Sequence, residues 1–486
     1  MISVNYSAKQ LPRFWENIQK FGDDVAIVDC RTLQAISYRQ IAAEIASNSE
    51  IVHRTTKGLA CLAIRNDVDS ILCYLTLLTS GYAIYLCEGE NDTGPSFEFI
   101  SQYRPDLILW GKDVNTPQCS GPDYRPRPPF LNFNVAERND QQGCINPDLA
   151  LLLSTSGSSG SSRVARLSYN NIASNAQQIM ESLNTSPNER AVLSLPLHYV
   201  YGLSVLNSFL NAGASLVVGT GSVMDRKFWS GCRAAGVTML PAVPTMLDFM
   251  RDIAADSFSM PRLNKVTISG APMSRSTRDW VLSHLVAKDL RVYSMYGMTE
   301  ASGRIAVLPH DEFVTHPASV GRVVGGGRLE LSESGEIFFS GPNVMLGYSH
   351  CRSDLSRADD LRGVLATGDL GAIDSDGYLY ITGRIARICK ILGTRISLES
   401  VEEYLSADSE VAATSDDGVI AVFYTENDET DLVARTVRLA QRIKIPHYVF
   451  ELRRLKSLPR TSTGKIDYPR LLTCECVTAL QKGTGS

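Results

Sequence analysis

The chain has 486 residues, 44% of them apolar and 20% charged, an ordinary globular composition. That length exceeds what one hydrophobic core usually serves, so two or more domains are expected. A net charge of -5 gives no reason to expect nucleic acid or an anionic membrane as partner, and no apolar run is long enough for a membrane span.

Met1–Tyr6 carries no basic-then-apolar leader. The eleven cysteines include no Cys-x-x-Cys pair, and Cys474 and Cys476 are too isolated for a zinc site. Buried thiols in a reducing, cytoplasmic setting are the expectation.

In chain order, short apolar strands alternate with helical patterns. Strands are expected over 25–29, 61–65, 83–87, 107–110, 150–155, 192–196, 215–218, 238–241, 266–269 and 292–296. Helices are expected over 38–47, 68–79, 170–183, 228–235, 244–254 and 274–285. This alternation predicts parallel sheets covered by helices. Residues 89–95 and the Pro-rich 116–129 read as surface loops.

From about residue 321 the pattern changes to short strands (328–331, 336–340, 378–382) between Gly/Asp/Ser turns, which predicts a small β-rich subdomain. Beyond 384 comes an α+β pattern: helix 398–405, strand 419–425, helix 432–443 and strand 449–452. The fold class expected is α/β: a large N-terminal domain of helix-covered sheets over 1–384, with the β-rich subdomain at about 320–384. A small mobile α+β C-terminal domain over 385–486 follows.

The most informative segment is Ser154-Thr-Ser-Gly-Ser-Ser-Gly-Ser-Ser-Arg163, directly after the apolar run Leu149–Leu153. Two glycines let the backbone approach an anion, hydroxyls and N–H groups can wrap phosphate oxygens, and Arg163 supplies charge. No Gly-Lys-Ser/Thr closes it, so it is not a P-loop. It also lacks Gly-x-Ser-x-Gly, the serine-hydrolase elbow. A Ser/Gly run alone is usually a linker, but the strand before it argues otherwise.

Four further segments follow. Tyr296-Gly-Met-Thr-Glu300 ends a strand, where α/β sheets bind ligands. Leu365-Ala-Thr-Gly-Asp369 puts a carboxylate just after a glycine turn, suited to two ribose hydroxyls. Thr382-Gly-Arg384, with Lys390 and Gly393-Thr-Arg395, is a basic stretch. Pro459-Arg-Thr-Ser-Thr-Gly464-Lys465 places a lysine on a Gly-containing loop. Singly each is weak, because Gly-Asp turns are mostly structural and loop lysines mostly solvated.

In this order, and with Leu195-Pro-Leu-His-Tyr-Val-Tyr-Gly202, Val243-Pro-Thr-Met-Leu247 and Ser269-Gly-Ala-Pro272, the motifs resemble the adenylate-forming superfamily. That superfamily comprises acyl-CoA synthetases, aryl-CoA ligases, firefly-type luciferases and peptide-synthetase adenylation domains. The resemblance covers nearly the whole chain. It implies a carboxylate attacking the α-phosphate of ATP, then a thiol displacing AMP to leave a thioester. It also implies ATP, Mg²⁺ and coenzyme A as cofactors and a small-molecule carboxylic acid as substrate.

By the same resemblance, Thr155, Ser156, Gly157, Ser158, Ser159, Gly160 and Arg163 hold the β/γ-phosphates. Thr299 bonds the α-phosphate and Glu300 binds Mg²⁺. Tyr296, followed by Gly297, stacks on adenine beside Gly270 and Ala271, and Asp369 grips the ribose with Arg384 nearby. Lys465 bridges the attacking carboxylate and the phosphate. The C-terminal domain swings about a hinge to present Lys465 in one pose and the Gly393 segment in the other.

The chain departs from the family pattern in places. Ser162-Arg163-Val164 replaces the usual Pro-Lys-Gly, and the hinge position, usually Asp or Lys, is Ala386. The family's pocket histidine falls on Tyr199, with His198 one residue earlier; these and Gly202 are the candidate acid-pocket residues. No acidic residue lies between Val192 and Val218 to pair a substrate ammonium, so a simple acyl or aryl acid is expected rather than a free amino acid. The apolar runs 199–206 and 239–246 fit such a pocket or plain core. The acceptor thiol is coenzyme A or, alternatively, the phosphopantetheine of a carrier protein. A non-catalytic adenylate-binding relative and a light-emitting oxidase are the remaining readings.

Overall fold

The computed structural model describes residues 12–479 except 50–51, 53, 55, 90–94, 115–122, 141–142, 156–162, 253–259, 392–393, 407–409, 417, 426–429, 462–464 and 475–477. Largely apolar runs become strands buried on both faces: Leu59–Ile64 and Ser215–Val218 have no exposed residue. They lie in two large sheets. The first has nine strands, with Arg190–Val192, Met239–Ala242, Lys265–Ile268 and Arg291–Tyr296 parallel at its centre. The second has eight, built around parallel Ala83–Glu88, Leu59–Ile64 and Leu107–Gly111.

Helices Val68–Thr79, Tyr169–Ser182 and Val200–Ala212 share one continuous apolar core with both sheets. Local chemistry starts them well. Asp67 caps the first through the Ser70 N–H at 2.8 Å, and Ser168 with Asn171 forms a capping box on the second.

A four-stranded antiparallel sheet, Arg328–Leu331, Glu336–Ser340, Val364–Ile373 and Leu379–Arg384, forms the β-rich unit. Beyond it lies a second core, from Cys389 to Leu452, around the sheet Val411–Asp416, Val419–Tyr424, Phe450–Arg454. The α/β class, with a large N-terminal and a small C-terminal domain, is therefore as expected. No described helix is long and apolar enough to cross a membrane.

Four local expectations are corrected. The Pro-rich stretch is partly strand: Tyr124–Phe130 pairs antiparallel with Phe133–Arg138 at the sheet edge, where missing N–H groups are tolerated. The strand expected over 192–196 ends at Val192, because Asn66 takes the Leu193 and Leu195 carbonyls, each at 2.9 Å. Helix Val200–Ala212 was not foreseen. It is buried almost all round and so shows no amphipathic period. Asp369 follows no turn between elements; Gly368, at φ 71, is a left-handed step inside the strand Val364–Ile373.

Lys265, fully buried, ties the nine-stranded sheet to the end of the second helix. Its Nζ donates to both Glu189 oxygens at 2.8 Å and to the Leu183 carbonyl at 2.7 Å. Lys265→Met leaves the Glu189 carboxylate buried without its main partner, so urea denaturation should show a loss of about 3–5 kcal/mol. Adding Glu189→Gln should recover most of it, and an unchanged midpoint in the single variant contradicts this account.

Candidate active site

The strand Arg291–Tyr296 ends in a loop whose every turn is fixed. A Cβ on Gly297 would lie 2.1 Å from the Gly303 carbonyl oxygen, so only glycine fits. The chain passes through one turn, Thr299–Ala301, then Ser302 at φ 56 and Gly303 at φ 117. The Ile305 N–H returns to the Tyr296 carbonyl at 2.8 Å. Buried Asn343 locks the loop from outside, its Nδ2 donating to the Ala301 and Arg304 carbonyls at 2.8 and 2.7 Å. The loop thereby presents Thr299, half-buried, and Glu300, buried.

Asp369 faces that loop, only 3% exposed. Its Oδ2 accepts the Tyr296 hydroxyl at 2.6 Å and its Oδ1 meets Arg384 Nε at 2.8 Å. Arg384 is its cross-strand neighbour. Burial, then the adjacent Asp369 charge, hold the Tyr296 phenol protonated well above its ordinary range. A carboxylate has about four acceptor positions, so roughly one per oxygen is left for further hydroxyls.

Glu300 Oε1 accepts the Tyr348 hydroxyl at 2.7 Å, and the Arg163 guanidinium carbon lies 5.4 Å from the Tyr348 ring centroid. Tyr348 stands on Gly347–Ser349, paired antiparallel with Arg163–Ser168. Thr155 and Arg163 are themselves cross-strand partners, with Thr155 Oγ1 donating to the Arg163 carbonyl at 3.2 Å. The Ser/Gly segment thus joins the two strands of a hairpin, unlike a strand-to-helix P-loop. Ser156, Gly157, Ser158, Ser159 and Gly160 lie outside the described residues, as does Gly393.

Lys465 arrives from the other end of the chain. A bridge between Arg460 and Ile466, with the Thr461 N–H donating to the Lys465 carbonyl at 2.8 Å, shapes its loop. Its ammonium stands 5.7 Å from the centroid of the Tyr199 ring. Burial, then repulsion by Arg384, push the Lys465 pKa down to about 8, against the pull of Asp369 and Glu300. The lysine therefore lies in the field of all three groups.

Tyr199 precedes helix Val200–Ala212. Its hydroxyl oxygen would be 3.1 Å from a Cβ on Gly270, a glycine at φ 98, with Ala271 exposed beside it. His198 is kept toward its neutral form by burial, opposed by Glu88. A Cβ on Gly202 would meet the Leu195 and Pro196 carbonyl oxygens at 2.6 and 2.4 Å, which gives that glycine a packing reason. Val200–Leu206 lie wholly in the core.

The residues brought together are thus Thr299, Glu300, Tyr296, Asp369, Arg384, Lys465, Tyr199 and Gly270, with Arg163 at the side. Tyr348, Asn343 and Arg304 were not found from the sequence, since a lone Tyr, Asn or Arg carries no local signal. Among the described residues no three His, Cys, Asp or Glu are grouped to hold a metal. One buried carboxylate suits a magnesium ion held mainly by phosphate oxygens and water.

Residues 115–349 match the family described as AMP-binding enzyme. A probable CoA ligase, CCL9, of Humulus lupulus is 30% identical over 346 residues, 66% of this chain and 65% of that protein. The oxalate–CoA ligase of Arabidopsis thaliana is 30% identical over 347 residues, 66% of each. The chain thus aligns with slightly less than two thirds of the length of these relatives.

Among solved structures, o-succinylbenzoate CoA synthetase of Bacillus subtilis with the acyl-adenylate OSB-AMP superposes at a TM-score of 0.75 and 20% identity. That match covers 96% of this chain and 99% of the other. ATP-bound MatB of Rhodopseudomonas palustris also reaches 0.75 at 20% identity, over 95% and 98%. The fold and the sequence matches agree: residues 115–349 match the AMP-binding enzyme family, and the chain is similar in sequence to CoA ligases and in fold to the two acid-activating enzymes just described.

Proposed function

We propose that this protein is an AMP-forming acid–thiol ligase: it converts a carboxylic acid and ATP to an acyl-adenylate and pyrophosphate, then to a coenzyme A thioester with release of AMP. The observation that carries the reading is the Lys465 ammonium held beside Tyr199, in the field of Glu300, Asp369 and Arg384. Coenzyme A is chosen as the acceptor because the related proteins just described are CoA ligases. The buried cysteines Cys73, Cys232 and Cys389 are thiols rather than disulfides, which suits a cytoplasmic enzyme.

The first step must bring an anion to a polyanion. Two unit charges about 4 Å apart repel by about 4 kcal/mol at an effective dielectric near 20, so the site must supply fixed cations and donors. In this reading Asp369 accepts the ribose hydroxyls with its free lone pairs, while Tyr296 and Arg384 hold it still. The Tyr296 ring and the Gly270–Ala271 backbone flank adenine. Thr299 donates to the α-phosphate, and Thr155, Arg163 and the segment between them hold the outer phosphates. Lys465 neutralises charge between the attacking carboxylate oxygen and the α-phosphorus as the bond to pyrophosphate breaks. Glu300 would hold a magnesium ion, which when bound neutralises phosphate charge.

The hinge has two anchors. Arg384 is tied to Asp369 in the body. Arg387 is tied to Glu399 at 2.9 Å and Glu402 at 2.6 Å in the C-terminal unit, and packs 3.8 Å from the Tyr468 ring. Exposed Ala386 lies between, in the single turn Ile385–Arg387. A small residue there can absorb the backbone change that withdraws Lys465 and admits a thiol.

Lys465→Ala should keep its melting temperature but cut acid-dependent ATP–pyrophosphate exchange roughly a hundredfold or more, the scale of one lost transition-state contact. Near-normal exchange in that variant would refute the assignment. A pH profile adds an independent check. Lys465 is charged below about pH 8 and loses its proton above it, so kcat/KM for adenylation should fall on the alkaline side near pH 8. Bound ATP favours the protonated form, so the alkaline limb of kcat should lie higher. A flat kcat/KM through pH 9 argues against the role.

A further inference from the structure

Five basic side chains are buried among the described residues: Arg138, Arg166, Lys265, Arg304 and Arg435. Four face a carboxylate: Arg138 meets Asp106, Arg166 meets Asp360, Lys265 meets Glu189 and Arg435 meets Asp431. Arg304 faces none among the described residues; the charged or ionisable neighbours that bear on it are Tyr201 and Tyr199. It is only 1% exposed.

The partners of Arg304 are neutral. Nη1 donates to Ser269 Oγ at 3.0 Å, Nη2 reaches Ser204 Oγ at 3.5 Å, and Nε has no partner. The guanidinium carbon lies 5.0 Å from the Tyr201 ring centroid. Both serines direct their own protons to main-chain carbonyls, Ser269 to Met295 at 3.0 Å and Ser204 to Tyr201 at 2.8 Å, so they can only accept from the arginine. Two hydroxyls and a ring do not balance a fully desolvated cation.

The place of this charge is informative. Ser269 immediately precedes Gly270, and Arg304 closes the loop that carries Thr299 and Glu300. Tyr199 links the two cations: its hydroxyl would touch a Cβ on Gly270, next to the Ser269 that Arg304 bonds, while Lys465 sits over its ring. One positive charge is thus half-buried and the other fully buried.

We infer that Arg304 binds a second anionic group of the acid, so that the substrate is a dicarboxylic acid whose reacting carboxylate meets Lys465. The inference rests on the acid-activating reading above and narrows its substrate class. A monocarboxylic acid would leave the guanidinium uncompensated. An acid with two carboxylates supplies the missing counter-ion in place of water, and a site built for such a group rejects the analogue lacking it strongly.

The test compares kcat/KM in ATP–pyrophosphate exchange for succinate, glutarate, adipate and phthalate with that for butyrate, valerate, hexanoate and benzoate. The wild type should favour a dicarboxylate by about a hundredfold or more over its monocarboxylate counterpart, the scale of losing a buried charged partner. Arg304→Met should lower that ratio by a similar factor, whereas Arg304→Lys should keep part of it. If Arg304→Met does not fold, Arg304→Gln, which can still bond the serines without a charge, is read in the same way. A wild type that uses monocarboxylates at least as well, or a variant that loses both classes in equal proportion, overturns the inference and leaves acid activation standing. Exchange with no acid at all overturns both.

Discussion

The Asp369 carboxylate is the constraint around which the site is organised. It is buried, and it would be costly to bury alone. The Tyr296 hydroxyl and the Arg384 guanidinium supply its partners, and each belongs to a different element. One interaction therefore joins the end of the nine-stranded sheet, the β-rich sheet and the first residue of the passage into the C-terminal unit. Adenine, ribose and hinge chemistry, in the proposed reading, all rest on this junction.

Around it the charges are graded. Glu300 and Asp369 are the buried carboxylates, Arg384 and Arg163 are cations on the exposed side, and Lys465 is the cation that comes from elsewhere in the chain. An ammonium brought on a loop differs from one built into the wall, because it can be offered for one step and withdrawn for the next. In the proposed reading the anchors on either side of Ala386 give that movement a place: Arg384 is paired with Asp369, and Arg387 with Glu399 and Glu402. If Ala386 is the hinge, as the motif order implies, a methyl group stands there and offers the turn no polar contact.

The acid side of the site has a different logic. Apolar residues of helix Val200–Ala212 that could have formed a hydrocarbon pocket are instead packed into the core. Tyr199, itself packed against that core, has the Lys465 ammonium over its ring. In the inferred reading, the buried guanidinium of Arg304 rather than an apolar wall selects the acid.

Much of this was legible in the residues. Apolar runs such as Leu59–Ile64 and capped helices such as Val68–Thr79 form from local pattern, and the motif order named the superfamily, its fold and the groups that meet around Asp369. Helix Val200–Ala212 was hidden because uniform burial removes the period that marks a helix. The Tyr124–Phe130 strand was hidden because proline suits an edge as well as a loop.

The partners of single side chains were equally invisible: Tyr348 on Glu300, Asn343 across the loop, and the lack of a carboxylate at Arg304 among the described residues. Such pairings join segments far apart in the chain, and their energies depend on burial and distance, which no one-dimensional pattern encodes. The sequence by itself determined which chemical groups are present and in what order. The tertiary structure alone decided which charges are desolvated and what each one faces, because burial and facing geometry are products of packing.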